Sequence, residues 1–167
     1  MNIHVETGDW GQACLHDIQR LLEDVANQLG QYLDDWCRYA FQFAHELCHL
    51  ISDYERLRLR ANQWFHESLC EVASLFVLRQ MSVTWATAPP FAIGSGYASS
   101  LASHAQEIVS RDVHQLPDSV SLAEWRRERD SSLRADPYQR ELNAVVAVQL
   151  LPLMEKAPRS WNSLRYM

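Results

Sequence analysis

The sequence predicts a mainly helical single domain spanning residues 1–167, with at most a very small β-sheet. Three observations lead there. Apolar residues recur at helical spacing through most of the chain, and only five glycines interrupt it. Strand-like alternation is confined to Ile3-His4-Val5-Glu6. At 167 residues with 47% hydrophobic and 22% charged residues, the chain can bury one sizeable core without disulfide or metal staples.

The elements follow in order. After the short Ile3–Glu6 strand, Thr7-Gly8-Asp9 turns the chain into a helix over 10–29, whose buried stripe is Leu15, Ile18, Leu21, Leu22, Val25 and Leu29. Gly30 stops it. Asp34 or Asp35 caps a second helix over 36–52. Phe43, Leu47, Leu50 and Ile51 are expected to face a core, with Arg38, Gln42, His45 and His49 on another side. A third helix, from Asn62 or Gln63 to Met81, is dense enough in apolar residues to be buried most of the way round. Ala88-Pro89-Pro90 ends it and opens a loop through Gly94-Ser95-Gly96. A fourth helix covers 97–111, and a polar one covers 122–134 with Trp125 as its buried anchor. Asp136-Pro137 then places proline in the first turn of a final apolar helix over 138–155, kinked near its end by Pro152. Trp161 is expected to cover that last helix.

Charge and composition exclude several function classes. A net charge of −6 and a pI near 5.6 supply no basic field for nucleic acid or anionic membranes. The basic run Arg56-Leu57-Arg58-Leu59-Arg60 is too short to alter that and reads as a solvated connection. No apolar run reaches the length of a membrane span, and the amino terminus lacks the basic and apolar regions of a signal peptide, so the expected location is cytoplasmic. The four cysteines, Cys14, Cys37, Cys48 and Cys70, include no C-x-x-C pair. Cys14 and Cys37 read as small buried apolar residues.

One motif carries chemistry. His45-Glu46-Leu47-Cys48-His49 has the H-E-x-x-H spacing, which on a helix stacks two imidazoles one turn apart on one face, within reach of a single metal ion. Glu46 sits beside them as a candidate base. Roughly one chain of this composition in fifty would carry the pattern by accident, so its surroundings must decide. A catalytic zinc site needs a third protein ligand from a neighbouring element. Glu67 is a candidate, eighteen residues after His49 on the next helix, within Trp64-Phe65-His66-Glu67-Ser68-Leu69-Cys70-Glu71. His66, about 100° away around that helix, is expected at the rim.

Together these segments resemble the gluzincin branch of zinc metallopeptidases, in which the third ligand is a glutamate in a W-x-x-E-G-hydrophobic-Ala context. Ser68 stands for the usual glycine and Cys70 for the usual alanine. The resemblance covers about thirty residues, from Phe41 to Ser74. It implies a zincin-like fold, Zn2+ held by His45, His49 and Glu67, and Glu71 behind them as acceptor for a ligand imidazole. It also implies a metal-assisted attack of water on a peptide or amide carbonyl. Glu46 would be general base and a downstream residue the transition-state donor. Tyr97, His104, His114, Tyr138 and Arg140 are eligible donors, Tyr97 being favoured because it follows the glycine-bearing loop.

Two features depart from the family pattern. Only 31–33 leave room for a strand ahead of the motif helix, so the sheet that aligns a peptide by strand addition is reduced or missing. Cys48 and Cys70 each follow a ligand by three residues, which predicts that the two thiols lie close together and can form a disulfide in an oxidising compartment. Either thiolate as a zinc ligand is the weaker alternative. The competing functional reading is a non-catalytic zinc-binding, or metal-free, helical interaction protein.

Overall fold

The computed structural model describes residues 35–52, 62–90 and 95–166. By its internal contacts the chain divides into Met1–Trp36 and Cys37–Met167, and the described residues other than 35 and 36 belong to the second unit. The expected strand over 3–6, the helix over 10–29, the possible strand at 31–33 and the Arg56–Arg60 run lie outside the described residues. So, therefore, does part of the single-domain expectation.

The protein is mainly helical, and the described residues contain no strand. Helix α1 covers 35–51. It is followed by α2 (Gln63–Thr87), α3 (Ser95–Ser110), a 3-10 turn (Asp112–His114), α4 (Leu122–Ala135), α5 (Arg140–Lys156) and a terminal 3-10 segment (Pro158–Tyr166). No described helix is long and apolar enough to cross a membrane.

The twenty-five residues of α2 run about 37 Å at 1.5 Å per residue, and every other described helix packs on it or on its partners. Its first half, from Trp64 to Leu75, is buried almost all the way round, as its apolar density predicts. Leu78 meets Cys37, Leu101 and Ala105, joining α1 and α3 to the second half of α2. Val72 and Leu75 pack against Ala147 and Leu151 of α5. Trp64 joins Trp125 and Leu133 of α4 and Val145 and Val146 of α5. The terminal Trp161 packs at a tilt against Phe76, 5.3 Å between ring centroids, at the α2–α5 seam.

Local chemistry sets the helix ends. Ser121 and Glu124 form a reciprocal capping box: the Ser121 hydroxyl accepts the Glu124 N–H at 3.3 Å, and the Glu124 carboxylate accepts the Ser121 N–H at 3.0 Å. Trp125 is the buried anchor of this polar helix, with Leu133 as a second. At α5 the expected start is displaced. The Asp136 carboxylate accepts the Tyr138 N–H at 3.0 Å, and this local turn holds Pro137 and Tyr138 outside the helix, which begins at Arg140. Pro152 does lie inside α5, one turn from its end.

The faces of α1 are the reverse of those expected. Cys37, Ala44, His45, Cys48 and Ser52 are buried, whereas Phe43, Leu47, Leu50 and Ile51 are exposed, Leu50 by 79%. The physical reason lies across the interface. The surface that α2 presents to α1 carries His66, Glu67, Glu71 and Ser74, all buried. Packing Phe43 and Leu47 on those groups would strip them of water and give nothing in return. The small or polar face of α1 supplies partners instead: Ser74 Oγ donates to the Phe41 carbonyl at 2.8 Å, and Ser52 meets His66.

This orientation predicts a contrast in stability. Leu75→Ala, which empties a fully buried site, should cost about 2–5 kcal/mol by chemical denaturation. Leu50→Ala should change stability by no more than about 0.5 kcal/mol. A large loss at Leu50 would show that the apolar face of α1 is the buried one.

Candidate metal centre

Burying five polar side chains, His66, Glu67, Ser68, Glu71 and Ser74, within ten residues of a core helix is expensive unless each is satisfied. The two serines are. Ser68 Oγ donates to the Trp64 carbonyl at 2.8 Å, and Ser74 donates to α1 as described. The histidine and the carboxylates turn toward the motif residues of α1.

Helical spacing places the two motif imidazoles edge to face, with centroids 4.9 Å apart. Both address the same atom. His45 Nε2 lies 3.3 Å and His49 Nε2 3.6 Å from Glu67 Oε2. Ligands held about 2.0–2.1 Å from a tetrahedral zinc stand about 3.3–3.4 Å from one another, so each of these two contacts is close to the length of a ligand–ligand edge. On its far side, His45 Nδ1 lies 3.9 Å from Glu71 Oε1. That is too long for a hydrogen bond, but it puts the carboxylate where it can orient the ring.

Two further residues join the cluster. The ligand-capable atoms of His45, His49 and Cys70 lie within 4.8 Å of one another, as do those of His49, His66 and Glu67. The expected rim position for His66 is therefore wrong: the residue is 1% exposed and its ring stacks 4.8 Å from that of His49. The signal that could have found it is the apolar character of α2 all round, which leaves no rim for position 66. Cys70 Sγ sits 3.5 Å from His49 Nδ1. Cys48 and Cys70 are close, as their spacing predicts. Both are free, and their thiols share a hydrogen bond that pushes Cys48 down and Cys70 up.

Electrostatics suit a cation. Burial lowers His49 below the ordinary imidazole range, against the opposing pull of Glu67. Burial, reinforced by His49, lowers His66 to about 4. Both rings are thus neutral near pH 7, the form that binds metal. Burial raises Glu71, with His45 and Arg140 opposing. Neutral imidazoles beside the carboxyl groups of Glu67 and Glu71 form a donor set suited to a divalent ion.

The cluster forms the floor of an open cleft of about 460 Å3. Helix α1 contributes Gln42 and Glu46 to its wall, and the start of α5 contributes Tyr138, Arg140 and Asn143. Glu46 is exposed to the cleft and accepts a hydrogen bond from Gln42 Nε2 at 2.6 Å. Gln42 Oε1 accepts in turn from Arg140 at 3.5 Å. Sequence reasoning passed over Gln42 in this role, although it lies one turn before Glu46.

Tyr97 does not line the cleft. It packs edge-on to Trp85, 6.5 Å between centroids, in the α2–α3 cluster. Trp85 lies eighteen residues beyond Glu67, about 27 Å along α2, so the start of α3 is remote from Glu67. Of the other eligible donors, His104 meets Phe41 edge-on and His114 is bonded to the Ile108 carbonyl, while Tyr138 and Arg140 reach the cleft.

Comparison with known proteins finds no match. No protein family, curated protein or solved structure is similar to this chain at a significant level. The residues themselves therefore carry the functional argument.

Saturating the metal-free protein with a divalent cation, at a hundred times the dissociation constant, should add about 2.7 kcal/mol to its unfolding free energy. Thermal melts with and without the ion measure this. His45→Ala and Glu67→Ala should abolish the gain, and an unmoved wild-type melt would exclude a metal centre.

Proposed function

We propose that the protein is a zinc-dependent hydrolase acting on a peptide or amide bond, with His45, His49 and Glu67 as metal ligands and Glu46 as general base. The observation that carries this reading is the convergence of both motif histidines on Glu67 Oε2 beneath an open cleft walled by Glu46. Two nitrogens and one carboxylate oxygen form the donor set of catalytic zinc sites. When bound, zinc would acidify water and polarise the scissile carbonyl.

The chain's own residues supply the remainder. Glu46 takes a proton from the attacking water and returns it to the departing amine. Gln42 holds that carboxylate by its hydrogen bond and fixes which oxygen faces the cleft. Tyr138 and Arg140 replace Tyr97 as the groups able to donate to a developing oxyanion, since both stand on the cleft wall. Glu71, 3.9 Å behind the ring of His45, is placed to accept from its Nδ1 when the ring is drawn toward it.

A second reading is a zinc-stabilised protein without catalysis. It draws on the lack of any strand among the described residues, because the usual peptide-aligning edge would have to be replaced by the cleft wall itself. Turnover by the zinc-loaded protein separates the two readings.

Glu46→Gln should retain zinc at wild-type stoichiometry while lowering turnover of a peptide library by about 10²–10⁴-fold. A chelator should abolish turnover in the wild type. Undiminished hydrolysis by Glu46→Gln would refute the assignment of the base, and a zinc-loaded wild type inert to all peptides and amides tested would favour the second reading.

A further inference from the structure

The three-ligand description leaves His66 without a task, although it is the most deeply buried histidine of the cluster. Its surroundings are those of a ligand. The ring lies against His49, and the ligand-capable atoms of His49, His66 and Glu67 are mutually within 4.8 Å. Its Nε2 stands 2.5 Å from Ser52 Oγ. That hydroxyl lies 2.6 Å from the Cys48 carbonyl, which takes its proton. Ser52 is therefore left to accept, and His66 Nε2 must be the protonated nitrogen. The tautomer is fixed, with the lone pair on Nδ1. An imidazole with one N–H anchored and the other nitrogen presented is the usual state of a metal-bound histidine. Ser52, only 2% exposed, sits at the end of α1, so the same helix that carries His45 and His49 also anchors His66.

We propose that His66 is a fourth protein ligand, through Nδ1, of a His45–His49–His66–Glu67 centre. The proposal rests on the reading of His45, His49 and Glu67 as ligands and extends it. Three neutral imidazoles and one carboxylate form a nitrogen-rich set suited to zinc. His66 does not line the cleft, so it approaches from the buried floor and leaves the cleft side to a substrate. Zinc can accommodate five donors, and a floor ligand is compatible with the hydrolase reading. The competing explanation is that His66 only ties the end of α1 to α2 through Ser52.

The decisive measurement is X-ray absorption at the zinc edge on the zinc-loaded wild-type protein, which counts bound imidazoles. Three per zinc is the expected result, and two overturns the proposal while leaving the His45–His49–Glu67 centre intact. Failure of the wild type to bind zinc overturns both together. Ser52→Ala removes the anchor but keeps the ring, and should weaken zinc binding by about 10–100-fold in competition with a chromophoric chelator. His66→Ala should weaken it further, and wild-type affinity in a folded His66→Ala protein also overturns the proposal. Should that variant fail to fold, the imidazole count in the wild type still decides.

Discussion

The packing of α1 on α2 depends on one requirement: the carboxylates of Glu67 and Glu71, set in the middle of a core helix, must find partners. A buried carboxylate left alone costs several kcal/mol, more than a typical leucine gains by burial. The helix that packs there has to present polar atoms. Helix α1 does so with His45, His49 and Ser52, and keeps the contact close through Ala44 and Cys48. The orientation of α1, the position of the cleft and the outward turn of Phe43, Leu47 and Leu50 all follow from that choice.

Much of this was legible in the sequence, and the failures have a common origin. The helical class, the start of α2, the approximate limits of α3 through α5 and the Trp125 anchor follow from periodicity and turn chemistry, which act locally, whereas α2 runs on to Thr87, six residues past the expected Met81. The approach of His45, His49 and Glu67 could be anticipated because H-E-x-x-H and a glutamate on the next helix impose a geometry of their own. The face of α1 could not be read from its apolar count. Hydrophobicity favours burying Phe43, Leu47 and Leu50, and only the polar row on the neighbouring helix reverses that preference. Tyr97 failed for the same reason. Its place beside a glycine-bearing loop says nothing about which end of a 37 Å helix it will meet.

His66 and Cys70 show how a periodic pattern can mislead at a crowded centre. A position 100° from Glu67 on an exposed helix points to solvent, but the first half of α2 is packed by α1, α4 and α5, and position 66 faces the end of α1 rather than solvent. The side chain must then be absorbed into whatever lies beside it, here His49 and Ser52. Cys70 is drawn in likewise, meeting His49 on one side and the Cys48 thiol on the other. The cluster therefore holds more donor groups than one tetrahedral ion requires.

The same crowding links stability to the site. The folded chain confines Glu67 and Glu71 near His49 and His66, whose charged forms burial disfavours, an arrangement that gains little from Coulomb attraction. Within the protein, His45 and then Arg140 oppose the effect of burial on Glu71, and Arg140 is itself exposed at the cleft. A divalent ion at the gap beside Glu67 Oε2 would convert that unfavourable arrangement into a cross-link between α1 and α2. Its binding energy would then appear as folding energy for the pair of helices that define the cleft. A chain that exposes Phe43 and Leu50 while burying Glu67 and Glu71 has given up local hydrophobic gain for the geometry of its centre, and that exchange is the strongest physical sign that the centre is functional.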